Sequence, residues 1–275
     1  MYHGNCFDGI ASAWVVQRKY PDAICIPALY GVSNRNEFYN AIGQENMSVE
    51  RVINTRLVMV DYSSNREDMI GLHKWFQGNF ICIDHHKTAQ LACEGLDFCV
   101  FDMEESGASL AWRHYFPDEP MPRLIKYVKD RDLWQFRLAQ SHQVNAFIHS
   151  YPMTIEAYGG LVEYLEDDDN FYIAQQQGVA ILRYKEQMVE NICMSAEIID
   201  GIPTVNTSVL FSEVPERLLE IFPTAPYARY YYDRIKDGIR QWGLRSKGDF
   251  DVSEVARDNG GGGHKNAAGY TERLL

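Results

Sequence analysis

Two stretches of the chain share one design. "RLVMVDYS" (56–63) and "FICIDHHK" (80–87) each run four apolar residues straight into an aspartate, Asp61 in the first and Asp84 in the second. Runs this short and continuous predict strands buried on both faces, as in a parallel sheet covered by helices. "DFCVFD", ending at Asp102, predicts a further strand. Between these runs the apolar positions recur at helical spacing in "REDMIGLHKWF", "GASLAWRHYF" and "PRLIKYVKDRDLW", the last opening on a proline suited to a first helical turn. This alternation predicts an α/β layer fold for residues 1–148. From Ile155 to Ile199 the pattern is helical, and "AQQQGVAILRYKEQMVENICMSAEII" predicts one long helix of good formers, so residues 149–199 are expected to be a helical connector. "EDDD" at 166–169 fits a solvated face or a helix boundary. After the turn signal "DGIP" come short β-like segments, which predict a second, smaller α/β domain over 200–275.

Composition narrows the class. The chain has 275 residues, 46% of them apolar, enough for two cores. Its formal charge of −12 disfavours a long nucleic-acid duplex and favours a small or short phosphate substrate bound locally. No stretch has the roughly 20 apolar residues that cross a bilayer, and the N-terminus carries no signal-peptide pattern, so no membrane partner is expected and the expected location is cytoplasmic. The six cysteines (Cys6, Cys25, Cys82, Cys93, Cys99, Cys193) contain no CxxC pair and read mostly as small buried residues.

Strand ends are where open α/β sheets bind ligands, so the carboxylates arriving there are a functional signal. His3 and Asp8 lie in "HGNCFDG", Asp61 ends one strand, Asp84, His85 and His86 end the next, and "VKDRDLW" adds Asp130 and Asp132. Carboxylates and imidazoles at one sheet edge suit a divalent metal with mixed oxygen and nitrogen ligands, Mn2+ being a good candidate. A second unusual stretch is "GGGGHKNAAG" (260–269). An ordered tetraglycine calls for positive φ or close approach of the backbone to something, and small residues around a histidine suit a loop whose amides face an anion.

These residues carry a resemblance to the DHH phosphoesterases: "DHHK" (84–87) is similar to the motif that names them, and "GGGGHKNAAG" to the signature of their associated C-terminal domain. The likeness extends in order through "HGNCFDG", "VDYS", "SGASLAW" from Ser106, "KDRDLW" from Lys129 and "LRS" from Leu244. It implies an N-terminal parallel-sheet domain that holds two metal ions, Mn2+ or else Mg2+ or another divalent cation, and a C-terminal domain that binds substrate. His3, Asp8, Asp61, His85 and Asp130 look like metal ligands, with Asp61 bridging. Asp84 and His86 look like groups that orient the ligands or face phosphate, and Asp132 is read as structural. Asp61, His85 and His86 are the implied catalytic residues. Arg245, Gly261, Gly262, Gly263 and His264 are the implied grip on the substrate's phosphates or end nucleotide.

The reaction implied is hydrolysis of a phosphodiester or phosphoanhydride bond by a metal-activated water. The expected substrate is a short oligonucleotide or small nucleotide phosphoester, as for nanoRNase-like members, and a homodimer is a further partner left open. A pyrophosphatase or polyphosphatase of the same family and a catalytically weak nucleotide-binding sensor are the alternatives. The sequence departs from the family in three places. Only two residues precede His3, so the strand that delivers the first motif is expected to be nearly absent, the start being either truncated or vestigial; Cys6 stands where many members have an aspartate; and Gly243 stands where a small hydroxyl residue is commoner.

Overall fold

The computed structural model describes residues 1–30 and 55–274. The chain parts into two compact units, Met1–Ile181 and Leu182–Leu275. In the first, five strands form an all-parallel sheet in the order β2-β1-β3-β4-β5: β1 (Tyr2–His3), β2 (Pro27–Ala28), β3 (Leu57–Val60), β4 (Phe80–Asp84) and β5 (Cys99–Phe101). Both predicted apolar runs are central strands. Period-two alternation splits their side chains: Val58, Val60 and Ile83 enter a core with Ile10, Leu124 and Phe147, whereas Leu57, Met59 and Cys82 enter a core on the other face with Met69 and Phe76. At about 1.5–3 kcal/mol for each large apolar side chain buried, this double burial fixes the strand register. The strand expected to be nearly absent is two residues long, yet β1 lies between β2 and β3 with Tyr2 opposite both Pro27 and Val60.

The helices of this unit are α1 (Phe7–Lys19), α2 (Arg66–Trp75), α3 (Gln90–Cys93), α4 (Gly107–Tyr115), α5 (Arg123–Asp132), α6 (Ser141–His149) and α7 (Ile155–Glu166), with α8 (Asp168–Cys193) running on across the division between the units. Side chains fix several of these starts, those of α2 and α4 among them. Asn65 accepts a hydrogen bond from the Asp68 amide at the head of α2, and Ser106 and Ser109 close a reciprocal capping box at the head of α4. The segment expected as a connector belongs to both cores. Tyr158, Leu161 and Leu165 of α7 and Ala174 of α8 complete the first core, and Val189 and Cys193 enter a core of the second unit. The acidic run is a helix boundary, where the Asp167 carboxylate accepts the Asn170 amide at 2.9 Å. The long helix ends at Cys193, short of the predicted Ile199, because Glu197–Ile199 pairs as a strand instead.

The second unit holds a mixed sheet in the order β10-β11-β9-β8-β7-β6, in which β7 and β8 alone are parallel neighbours. Its strands are β6 (Glu197–Ile199), β7 (Ile202–Asn206), β8 (Tyr227–Arg234), β9 (Ile239–Ser246), β10 (Gly262–His264) and β11 (Ala267–Arg273), with helices α9 (Glu213–Ile221) and α10 (Val252–Asp258). "DGIP" makes the two-residue hairpin between β6 and β7, with Asp200 and Gly201 both at positive φ. Val205, Leu218 and Ala228 centre one core, and Leu244, Val252, Ala256 and Ala268 another. Among the described residues no helix is long and apolar enough to cross a membrane.

Candidate metal centre

Four chain segments deliver polar side chains to the C-terminal edge of the parallel sheet. β1 ends in His3, and the turn behind it carries Cys6 at the cap of α1 and Asp8 in its first turn. Gly9 lets α1 start directly under β1, since a Cβ there would lie 2.0 Å from the His3 carbonyl oxygen. β3 runs into Asp61, whose φ of 53° puts a non-glycine residue in the left-handed region, the kind of backbone strain that persists where surroundings over-determine it. β4 ends in Asp84 and is followed by His85 and His86.

The side chains converge around Asp61. His85 Nε2 stands 3.1 Å from Asp61 Oδ1, 3.5 Å from Asp132 Oδ2 and 3.8 Å from Asp8 Oδ2. His3 Nδ1 lies 3.5 Å from Asp61 Oδ2 without hydrogen-bond alignment. Three sets of potential ligand atoms each fall within 4.8 Å: His3, Cys6 and Asp61; Asp61, His85 and His86; Asp8, His85 and Asp132. Asp61 and His85 each belong to two sets, which places them between neighbouring positions. Asp84 braces the histidines: one oxygen accepts His86 Nδ1 at 2.7 Å, the His85 amide at 2.8 Å and the His86 amide at 3.2 Å.

Burial makes these charges costly alone. Asp8 and Asp61 are 1% and 0% exposed. Desolvation, followed by the charges of Asp61 and Asp132, pushes the Asp8 carboxyl well above the usual carboxylate range. Burial works to raise Asp61 as well, but the close approach of His3, the hydrogen bond to His85 and the imidazole charges hold it down at about 2. His85 is opposed by burial, yet its hydrogen bond to Asp61 and the three surrounding carboxylates push it up to about 9. Polar atoms remain unpartnered even so: Asp8 Oδ2, Asp61 Oδ2, Asp84 Oδ2 and His3 Nδ1 are buried with no hydrogen bond. Each such atom costs about 1–3 kcal/mol, and a divalent cation held by the Asp and His set would satisfy those on the ligand residues. The residues present therefore fit divalent metal ions.

The structure departs from the sequence reading at α5. Asp132, and not Asp130, reaches the cluster. Two residues on a helix are about 200° apart, so the two aspartates face opposite ways. Asp130, 6% exposed, accepts the Arg137 amide at 2.8 Å and the Leu138 amide at 3.2 Å, and its carbonyl accepts those of Gln135 and Phe136. It organises the loop after α5. The head of α4 also contributes in a way the sequence reading did not assign. The Ala108 amide donates to Asp8 Oδ1 at 3.2 Å, and Gly107 lies so close that a Cβ would stand 2.5 Å from Asp61 Cβ. Buried Glu105 ties this helix to α5 through Arg113 and Lys129, each at 2.7 Å. Small residues at a capped helix start, the "SGAS" signal, were the visible trace of this role. Tyr30, which packs edge-on to His3 and His86, left no such trace.

In the second unit Arg245 and His264 fall in one cross-strand row. Both pair with Ala267, Arg245 from β9 and His264 from β10, so their side chains share a sheet face. The glycines before His264 have packing reasons of their own. Gly260, at φ 76°, ends α10, and the Gly261 amide closes back on the Ala256 carbonyl at 2.8 Å. A Cβ on Gly261 would lie 2.2 Å from the Gly269 oxygen, and one on Gly263, at φ 148°, would lie 2.5 Å from Ala268 Cα. Gly262 is open. The Gly243 departure is equally local, because the Tyr230 ring covers it at 2.1 Å from where a Cβ would stand.

No protein-family profile matches the chain. An uncharacterized protein of Acanthamoeba polyphaga mimivirus is 27% identical over 289 residues, covering 98% of this chain and 66% of that one, so the chain spans about two thirds of the relative's length. Among solved structures, the pGpG-specific phosphodiesterase PggH of Vibrio cholerae aligns with 98% of this chain and 91% of its own, at a TM-score of 0.50 and 11% identity. An exopolyphosphatase-related protein of Bacteroides fragilis aligns with 98% and 84%, at a TM-score of 0.43 and 14% identity. The chain shares its two-domain α/β fold with that phosphodiesterase.

Proposed function

We propose that the chain is a divalent-metal-dependent phosphohydrolase that cleaves short oligonucleotides or small nucleotide phosphoesters. The observation that carries this reading is the convergence of His3, Asp8, Asp61, His85 and Asp132 on one sheet edge, with buried carboxylate oxygens left unpartnered. His3 and Asp61 would hold one ion, and Asp8, His85 and Asp132 another, with Asp61 shared. When bound, two such ions activate water and neutralise phosphoryl oxygens. The chain's own groups do the rest. Asp84 fixes the His86 ring through Nδ1 and leaves Nε2 to face a phosphate. Gly107 allows α4 to start against Asp61, so the helix N-terminus favours negative charge there. Arg245 and His264, on one sheet face of the second unit, would bind a phosphate or nucleotide group. The fold shared with a dinucleotide phosphodiesterase and the charge of −12 both favour a short substrate.

The test is a panel of dinucleotides, cyclic dinucleotides, 3′,5′-bisphosphates, pyrophosphate and polyphosphate with added Mn2+. Turnover of a linear dinucleotide that vanishes in folded Asp61→Asn protein is expected. Metal-independent turnover, or none on any member of the panel, would refute the reading.

A further inference from the structure

Away from the strand ends, three cysteines that look scattered in the sequence meet. Cys82 lies on β4, Cys99 opens β5 directly beside it in register, and Cys93 ends α3. Their sulfurs all lie within 4.8 Å of one another, and all three are free thiols. They occupy the core on the opposite sheet face from Ile83, so they are separate from the first core. Cys82 and Cys93 are 0% and 4% exposed, while Cys99 is half-buried and leaves an approach from the surface.

A single buried cysteine is an ordinary small apolar residue. Three from three elements, sulfur to sulfur, exchange good carbon packing for chemistry. Thiolates about 2.3 Å from a shared cation stand roughly 4 Å apart, within a small side-chain adjustment of what is seen. The charge is also provided for. Three thiolates around a divalent ion leave one net negative charge, and Arg66 of α2 lies alongside, donating to the Ala92 carbonyl at 3.2 Å and the Glu94 carbonyl at 2.6 Å on either side of Cys93.

We propose that Cys82, Cys93 and Cys99 form a further metal site, which takes one thiophilic closed-shell cation, Zn2+ or Cu+, through three thiolates. Binding releases to solvent the protons the thiols still hold, including the one Cys82 donates to the Tyr62 carbonyl at 3.7 Å. Soft sulfur donors separate this site from the oxygen and nitrogen set around Asp61, so the proposal stands apart from the hydrolase reading. The bound ion would tie α3 and β5 to β4 just behind Asp84.

The full chain, purified under reducing conditions and stripped with a chelator, should retain about one Zn2+ per chain after reloading and desalting. Co2+ in its place should give intense near-ultraviolet thiolate-to-metal absorption. Cys93→Ala and, as a milder edge change, Cys99→Ser should both lose the retained ion and the absorption while keeping the far-ultraviolet circular dichroism of the parent. Cys6→Ser and Asp61→Asn should keep both signals, which removes the other centre as their source. Anaerobic competition with a chromogenic Cu+ chelator distinguishes the two cations. Equal metal retention by the parent and the folded Cys93→Ala and Cys99→Ser variants would overturn the proposal. So would a disulfide among the three in metal-free protein that persists under the reducing conditions.

Discussion

At His85 one imidazole answers three carboxylates, and at α5 one aspartate answers the site while its near neighbour answers the loop. The second contrast is directly separable. Asp132→Asn should leave the melting temperature of metal-free protein unchanged or slightly higher, because burial, joined by the like charge of Asp61, outweighs the attraction of His85 and disfavours the Asp132 carboxylate, and should cut Mn2+ binding and activity at least tenfold. Asp130→Asn should do the reverse, costing about 1–3 kcal/mol of stability through the weakened Arg137 and Leu138 bonds with Mn2+ stoichiometry intact. Thermal melts run beside metal titrations decide it, and equal metal loss in both variants would remove Asp132 from the ligand set. The titration of the cluster gives a second test. With His85 pushed up to about 9, its imidazole holds a proton near neutral pH when no metal is bound, and burial pushes the neighbouring Asp8 carboxyl up as well. Mn2+ must displace that proton, so on the order of one proton should leave per chain on loading, and apparent affinity should climb as pH rises toward 9. Calorimetric titration in buffers of different ionisation enthalpy measures the release. Proton-neutral binding would mean that His85 is not a ligand.

Among the elements, α4 matters more to the site than its lack of ligands suggests. Its capping box and the Glu105 ion pairs hold the helix start rigid against two carboxylates. Gly107 is the point of contact, and only a residue without Cβ fits 2.5 Å from Asp61 Cβ. Gly107→Ala should therefore destabilise by about 1–3 kcal/mol as the helix start is pushed off Asp61, and should lower Mn2+ affinity. A well-folded Gly107→Ala protein with unchanged affinity would show that α4 merely packs there. β1 makes the same point from the other side. Two residues suffice for a central strand because β2 and β3 supply its neighbours and Gly9 lets α1 turn back under it.

At the scale of the whole molecule, the two units have cores of their own, and the metal cluster lies entirely in the first. Mn2+ at about 100 times its dissociation constant should stabilise that unit by about 2.7 kcal/mol. Calorimetry should show two transitions with the one for Met1–Ile181 shifted upward by Mn2+ and the other fixed. A single transition that moves as one would show instead that α8 couples the units. The local signals were legible in the sequence. Apolar runs ending in Asp61 and Asp84, the proline and serine at helix starts, and the Asp-Gly hairpin each express a preference of a few neighbouring residues, which is why the parallel sheet and most of the cluster could be read. Choices between residues close in sequence could not be read this way. Asp130 and Asp132 carry the same side chain two positions apart, and only the rotation of α5 against β4 decides which meets His85. Likewise Cys82, Cys93 and Cys99 have no spacing that marks them, because what brings them together is the parallel pairing of β4 with β5 and the return of α3 over that pair. Sequence fixes what each segment prefers to be; contacts between segments distant in the chain form only when the core is packed, and those contacts decide which polar groups share a site.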